Sequence, residues 1–218
     1  MPNLYLAPSK DLLDHCDTIL AEVATDELIH EWWVPKANTH TIFEQALMKF
    51  VNGNLDYTDL RNMVIHAHDP NPYWNKAFIN TRGVCEKLAN QLSLLFPGDI
   101  GPFGRMCVWK VPPGHCIEPH TDNYKYHKAI RRWLLFLNLD DSQTYVQFGD
   151  DVIRATKGAL AELRPAEQQH ELANTTSDQF WYFLVFDTWK PSKLSEIPTA
   201  DLDDWAKNPK RKVYMSEH

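Results

Sequence analysis

No two cysteines of this chain stand in CxxC spacing. The four, Cys16, Cys85, Cys107 and Cys116, are scattered, which argues against a zinc ribbon. Cys16 and Cys85 fall on the apolar faces of expected helices and read as small core residues. The start of the chain lacks a basic region followed by an apolar run, so no signal peptide is expected. No stretch is long and apolar enough to span a bilayer. A general positive field is missing too. The formal net charge is −7, which argues against a nucleic-acid binder that depends on phosphate contacts. Basic residues gather only at 207–212, and that run reads as a solvated end. Internal repeats and low-complexity segments are absent. Free thiols and a cytoplasmic setting are expected.

What is present is an ordinary globular composition, 44% hydrophobic and 12% aromatic. A chain of 218 residues can bury a core without disulfides, so one domain over 1–218 is expected. Its halves differ in pattern. Leu4 and Leu6 alternate as in an edge strand, and Ser9 can cap a helix starting at Lys10. Leu12, Leu13, Cys16, Ile19, Leu20 and Val23 then recur at helical spacing. Residues 26–38 read as a loop or short strand, and 41–51 as a second helix ended by Gly53. Asp69-Pro70-Asn71-Pro72 predicts a turn. A third helix carries Phe78, Thr81, Cys85, Leu88, Leu92 and Leu95 and stops at Pro97-Gly98. Residues 1–98 are therefore expected to be mostly helical.

From Gly101 short apolar runs alternate with turn signals, the pattern of an all-β barrel or sandwich. Strands are expected over 105–111, 116–122, 132–139, 144–148, 152–156, 159–163 and 180–186, with breaks at Pro112-Pro113-Gly114, Asp140-Asp141-Ser142, Gly149-Asp150-Asp151 and Lys157-Gly158. The expected fold is mainly β with N-terminal helices: about eight strands in a double-stranded barrel over 101–191, supported by outer helices, with a polar tail over 192–218.

Within this half the chemistry gathers at Pro119-His120-Thr121-Asp122 and at His170, fifty residues on. A non-haem iron centre takes two imidazoles and one carboxylate on one face and leaves the other open. Side chains two apart on a strand point the same way, so His120 and Asp122 can converge on one ion. His170 then comes from a strand folded back alongside. The other histidines suit the role less well. His127 sits in the polar loop Tyr124-Lys125-Tyr126-His127-Lys128, His115 adjoins a turn, and His66 and His68 precede one.

The run Val111-Pro112-Pro113-Gly114-His115-Cys116-Ile117-Glu118-Pro119-His120-Thr121-Asp122 resembles the metal-binding strand of the aspartyl/asparaginyl β-hydroxylases. Arg131-Arg132-Trp133-Leu134-Leu135 stands where that family carries an arginine strand. Gly158, His170-Glu171 and Phe183-Leu184-Val185-Phe186-Asp187-Thr188-Trp189-Lys190-Pro191 are similar to its distal half. The resemblance spans residues 105–191. It implies a double-stranded β-helix (jelly-roll, cupin-like) and an Fe(II)- and 2-oxoglutarate-dependent dioxygenase that also consumes O2. The implied product is a hydroxylated β-carbon on an aspartyl or asparaginyl residue of a protein or peptide, or on a free amino acid. Neither a nucleic-acid nor a membrane partner is implied.

Two departures from the family matter. Well-known animal members have glycine where this chain has Asp122, so the site here looks like a full facial triad; that weighs against halogenase chemistry. In the family an arginine on the last strand grips the far carboxylate of 2-oxoglutarate, whereas here Phe180, Trp181 and Tyr182 stand at that place. A bidentate cation is needed from elsewhere. Arg132 is the first candidate because it opens an apolar strand. Arg131 is its alternative, since neighbours on a strand face opposite ways. Arg105 and Arg154 are further candidates. Trp109 and Trp133 can line the pocket or belong to the core, and Asn138 and Gln147 are polar groups inside apolar or alternating runs. Two other classes compete: a cupin-type metal enzyme that does not use 2-oxoglutarate, and a non-catalytic β-barrel binding module.

Overall fold

The computed structural model describes residues 4–25, 62–66, 79–101, 103–111, 113–114, 116–121, 129–164 and 167–194. Asp122, His68, His115, His127, the helix expected over 41–51, the Asp69 turn and most of the tail lie outside the described residues.

Helix α1, Lys10–Thr25, begins where Ser9 predicts. The Leu12 amide donates to Ser9 Oγ at 3.3 Å and the Leu13 amide to the Ser9 carbonyl at 2.9 Å, so the cap satisfies amides that lack an intrahelical partner. Leu12, Cys16 and Ile19 are buried on one face. Burial pushes the Cys16 thiol up to about 11, which keeps it an inert core group. Helix α2, Ile79–Leu95, buries Val84, Cys85, Leu88, Ala89 and Leu92, and Gly98 adopts φ +84° just beyond its end. Glu22 of α1 joins the helices, accepting from the backbone amides of Asn80 at 3.0 Å and Thr81 at 2.7 Å and from the Thr81 hydroxyl at 2.6 Å. A carboxylate is well placed at that amide-rich helix start. Among the described residues no helix is long and apolar enough to cross a membrane.

Two antiparallel sheets follow. The first has the order β1-β8-β5-β10-β3-β2 and the second β4-β9-β6-β7. Strands β3 (Phe103–Val111), β4 (Cys116–His120), β5 (Ile130–Phe136), β6 (Asp140–Phe148), β7 (Asp151–Thr156), β8 (Leu160–Leu163), β9 (His170–Ala173) and β10 (Trp181–Trp189) alternate between the sheets as a double-stranded β-helix, except that β6 and β7 form a hairpin within the second. This is the mainly β architecture expected. The first sheet is extended at its edges by β1 (Tyr5–Leu6) beside β8 and β2 (Asn62–His66) beside β3. The strand β2 stands where the sequence suggested polar residues before a turn.

Strand alternation divides the core. On β5, Trp133 and Leu135 belong to the cluster between the first sheet and the helices, while Leu134 and Phe136 belong to the cluster between the sheets. The inter-sheet cluster also takes Val146, Phe148, Leu172, Trp181, Phe183 and Val185. The break expected at Asp140-Asp141-Ser142 falls earlier, where Leu139 takes φ 64°. Those polar residues join β6 because Asp141 accepts from the Gln143 amide and from the Thr144 amide and hydroxyl, which holds an irregular stretch of ladder in place.

One group in the helical layer makes stability depend on pH. His15 is buried on α1 and its Nε2 has no hydrogen-bond partner among the described residues. Burial and the nearby Lys87 charge hold its imidazole below the ordinary 6.5, against Asp11 and Asp14. A folded-state pKa below the unfolded one contributes stability that is complete above 6.5 and is lost as pH falls towards the folded value. Urea unfolding from pH 8 down to pH 5 checks this. The wild type is expected to lose stability below about pH 6.5 more steeply than His15→Phe; parallel curves would show that His15 contributes nothing.

Candidate metal centre

The two sequence-expected histidines meet across the second sheet. His120 closes β4, His170 opens β9, and the register sets them directly opposite each other. Their ring centroids are 4.3 Å apart with the planes at 50°. Cross-strand partners share a face, and on the far side of His170 the register partner is Phe148 of the inter-sheet cluster. The histidine pair therefore faces the barrel interior.

A bulge sets this pairing. Ile117 pairs with Leu172 and His120 with His170, so β4 spends one more residue than β9 between the two pairs. Pro119 lies in the extra stretch, where its missing N–H costs no ladder bond. Without the bulge His120 faces the other side of the sheet.

The orientation of His170 is fixed from behind. Its Nδ1 lies 3.2 Å from the Gln168 carbonyl oxygen. A carbonyl only accepts, so the bond needs the proton on Nδ1, and that leaves the Nε2 lone pair for a ligand. This is the usual way a metal-binding imidazole is oriented. Among the described residues no three His, Cys, Asp or Glu side chains gather to hold a metal. The described part of the site supplies two imidazoles, and Asp122, two residues beyond His120, lies outside it.

The barrel has two ends, and turn contacts distinguish them. The Gly114 amide bonds the Thr176 carbonyl at 3.0 Å, joining the β3–β4 turn to the β9–β10 loop at the inner end. The Gly149 amide bonds the Gln169 carbonyl at 2.8 Å, joining the β6–β7 turn to the start of β9 at the histidine end. Trp181 pairs with Val111 at the inner end, whereas Asp187 pairs with Arg132 towards the other.

The two candidate arginines fall on opposite faces. Arg132 lies on the same face of β5 as Leu134 and Phe136, and its guanidinium forks onto Asp187 of β10, Nε to Oδ1 at 2.9 Å and Nη2 to Oδ2 at 3.2 Å. Both members are buried. Arg131 lies on the outer face with Trp133, over whose ring it sits at 5.6 Å. It forks onto buried Glu162 at 2.7 and 2.9 Å, which keeps it out of the barrel. Burial pushes Glu162 up, but the hydrogen bonds and charge of Arg131, with Arg164, leave its carboxyl below the ordinary range.

The remaining candidates divide similarly. Trp109 stacks on Phe183 with centroids 6.0 Å apart and planes at 5°, against the inter-sheet cluster. Arg105 holds the β3 register position opposite Asp187; its side chain is outside the described residues. Trp133 is core on the helix side, giving its indole N–H to Thr188 Oγ1 at 3.0 Å. Asn138 clasps the start of β10, accepting from the Tyr182 amide at 2.6 Å and donating to the Phe180 carbonyl at 2.8 Å. Gln147 bonds the Gly149 carbonyl, and Arg154 lies exposed over the Tyr145 ring. Among these last four, Trp133 packs on the helix side, and the Asn138 and Gln147 side chains are taken up by backbone groups. Asp187 and Trp181 received no role from the sequence. The signals were there: a lone carboxylate ending an apolar run, and a tryptophan where the family carries a cation.

No protein-family model matches the chain, and no curated protein aligns with it. Its fold is shared with solved structures. A prolyl-4-hydroxylase from Pseudomonas putida superposes with a TM-score of 0.54 at 13% identity, over 86% of this chain and 92% of that one. A prolyl hydroxylase from Trichoplax adhaerens, solved with a peptide fragment of hypoxia inducible factor, gives 0.55 at 11% identity, over 90% and 87%. AviO1 from Streptomyces viridochromogenes gives 0.53 at 11% identity, over 87% and 89%. Prolyl hydroxylases thus stand among the structures that share this double-stranded β-helix.

Proposed function

We propose that this chain is an Fe(II)- and 2-oxoglutarate-dependent oxygenase that hydroxylates an unactivated C–H bond. The observation that carries the reading is the facing pair His120 and His170, 4.3 Å apart on the inner wall, with His170 oriented through Nδ1. The two imidazoles suit a divalent transition metal, and Asp122 is the carboxylate the sequence offers as third ligand. Iron bound there, with 2-oxoglutarate and O2, supplies the oxidising power for the insertion of one oxygen atom. The chain's own part is positional: the β4 bulge aims His120, the Gln168 carbonyl sets His170, and the apolar inter-sheet cluster keeps bulk water from the reacting atoms.

For the substrate we favour a side chain on a peptide or protein, the class bound by the Trichoplax fold relative. Resemblance to the aspartyl/asparaginyl β-hydroxylases points to the β-carbon of such a residue or of a related amino acid. The free thiols of Cys16, Cys85 and Cys116 accord with a reducing, cytoplasmic setting.

Anaerobic titration of the Fe(II)-loaded protein with 2-oxoglutarate tests the reading. A weak metal-to-ligand charge-transfer band in the green is expected, and it is lost in His120→Ala. Bound iron without a band favours a cupin-type metal enzyme, a reading supported by the absence of a last-strand arginine. No bound metal at all favours a binding module.

A further inference from the structure

The helix side of the first sheet, away from the histidine pair, carries an open groove of about 420 Å³. It lies between the start of α1 and the end of α2, over the paired residues Leu6 of β1 and Leu160 of β8. Leu12, Leu88, Leu92 and Leu160 line it and are buried. Leu94 and Leu95 also line it and are 82% and 61% exposed. A helix of a globular protein turns its apolar stripe inward, whereas α2 ends on two adjacent leucines in solvent. One exposed leucine is ordinary. Two that continue a leucine-lined groove form the kind of patch that marks a docking place.

We propose that this groove is the seat of the chain's own C-terminal segment, with Leu202 and Trp205 as the anchors. The inference does not depend on the chemistry assigned to the histidines. It starts from where the chain leaves the barrel. The Gly101 amide donates to the Trp189 carbonyl at 2.7 Å, and a Cβ on Gly101 would stand 3.4 Å from Pro191 Cγ. The short helix α3, Pro191–Leu194, therefore begins against the residues that follow α2. Those residues fold back on the helix end, since the Asp99 and Ile100 amides both bond the Phe96 carbonyl, at 3.1 and 3.3 Å. The described chain thus stops at Leu194, near the end of α2 that carries Leu94 and Leu95, and residues 195–218 follow.

The sequence of that segment suits the groove. Leu202, Trp205 and Ala206 stand at i, i+3 and i+4, the spacing of one apolar helical face, and Asp201, Asp203 and Asp204 fall on the rest. Thr199 can cap such a turn. An amphipathic turn laid into an apolar groove is a common way for a peptide to dock. The reach is sufficient. The eight residues 195–202 span up to about 26 Å when extended, while α2 from Leu88 to Leu95 is about 10 Å long. Charge agrees as well. Asp11 is the only charged group among the described lining residues, and the anchors are followed by Lys207, Lys210, Arg211 and Lys212. A second copy of the chain competes poorly for the groove, because a tethered segment stands at an effective concentration of about millimolar.

The test uses the full chain with the photo-cross-linking residue p-benzoylphenylalanine in place of Leu94. It is irradiated over a range of protein concentrations and mapped by mass spectrometry. The expected product is a cross-link within one chain to the peptide holding residues 199–206, in a yield that does not depend on concentration. Leu202→Ser/Trp205→Ser is expected to lower that yield by about tenfold or more, because both large apolar anchors are lost. The same probe in place of Val152, 46% exposed on β7 of the second sheet, is the control and should not reach the segment. Should the position-94 protein not fold, Leu95 takes the probe. Links between chains whose yield rises with concentration overturn the proposal in favour of a second copy. A probe in the groove that finds no residue of 195–218 overturns it, as does a link that survives the double substitution. Equal labelling of the segment from Val152 overturns it too. None of these outcomes bears on the oxygenase reading, which the metal and 2-oxoglutarate titrations decide.

Discussion

Fe(II) binding is expected to collapse in His170→Ala and in His120→Ala, with the fold intact. Either change removes one of two imidazoles that face each other at 4.3 Å. Altering only the partners that orient a metal ligand costs about 10–100-fold in affinity, so deleting a ligand is expected to cost at least about a hundredfold. Stability should respond very differently. Both rings are only part-buried, at the ends of their strands, and removing either leaves the β5–β10 ladder untouched. The apo variants are expected to melt near the apo wild type. Only the wild type should gain from added Fe(II), by about 2.7 kcal/mol at a concentration a hundred times its Kd. Calorimetric metal titration and melting with and without Fe(II) separate the two effects. A variant that still binds one equivalent of Fe(II) tightly would move the centre elsewhere in the chain. Gln147→Ala is the control, since Gln147 pairs in register with Glu171 beside His170 and its side chain bonds the Gly149 carbonyl.

The histidine pair was legible because strand chemistry is local. An HxD run after a Pro-Gly turn, and a later histidine after a polar loop, place the two histidines on strands that a double-stranded barrel makes neighbours. The bulge that aims His120 is global. Only the pairing to β9 shows that Pro119 lies in an extra stretch, although a proline inside a strand was its signal. The same division runs through β5. Alternation required Arg131 and Arg132 to face opposite ways, but not which faced in; the helices packed on Trp133 and Leu135 decide it. Propensity failed where tertiary pairing overrode it. Asp140 and Asp141 read as a breaker and lie in a strand, because Asp141 finds its partners at Gln143 and Thr144. Asn62–His66 lies in a half read as mostly helical and pairs with β3, a partner some forty residues away that no local pattern reveals.

Asp187→Ala is expected to be among the most destabilising single changes in the barrel. Asp187 is 1% exposed and Arg132 7%, and the two meet through a two-bond fork across neighbouring strands. Such a pair is not in itself a large source of stability, since two charges have left water to form it. Removing one partner is different, because the other stays buried and loses the two-bond fork, at about 3–5 kcal/mol. For a chain of 218 residues that corresponds to a fall in Tm of about 6–20 °C, at roughly 2–4 °C per kcal/mol. Arg132→Ala should cost a comparable amount for the mirror-image reason. The double variant Arg132→Met/Asp187→Leu is expected to be milder than the sum of the singles, since it removes both charges of the fork together. Additive losses in urea unfolding would show that the pair acts as two separate contacts. The outer pair provides the comparison. Arg131 keeps 15% of its side chain exposed against 9% for Arg132, and Glu162 also has Arg164 at 3.6 Å. Arg131→Ala therefore leaves Glu162 a second guanidinium and should cost less than Arg132→Ala. Coupling that is strong inside and weak outside would mark the Arg132–Asp187 pair as part of the barrel's frame.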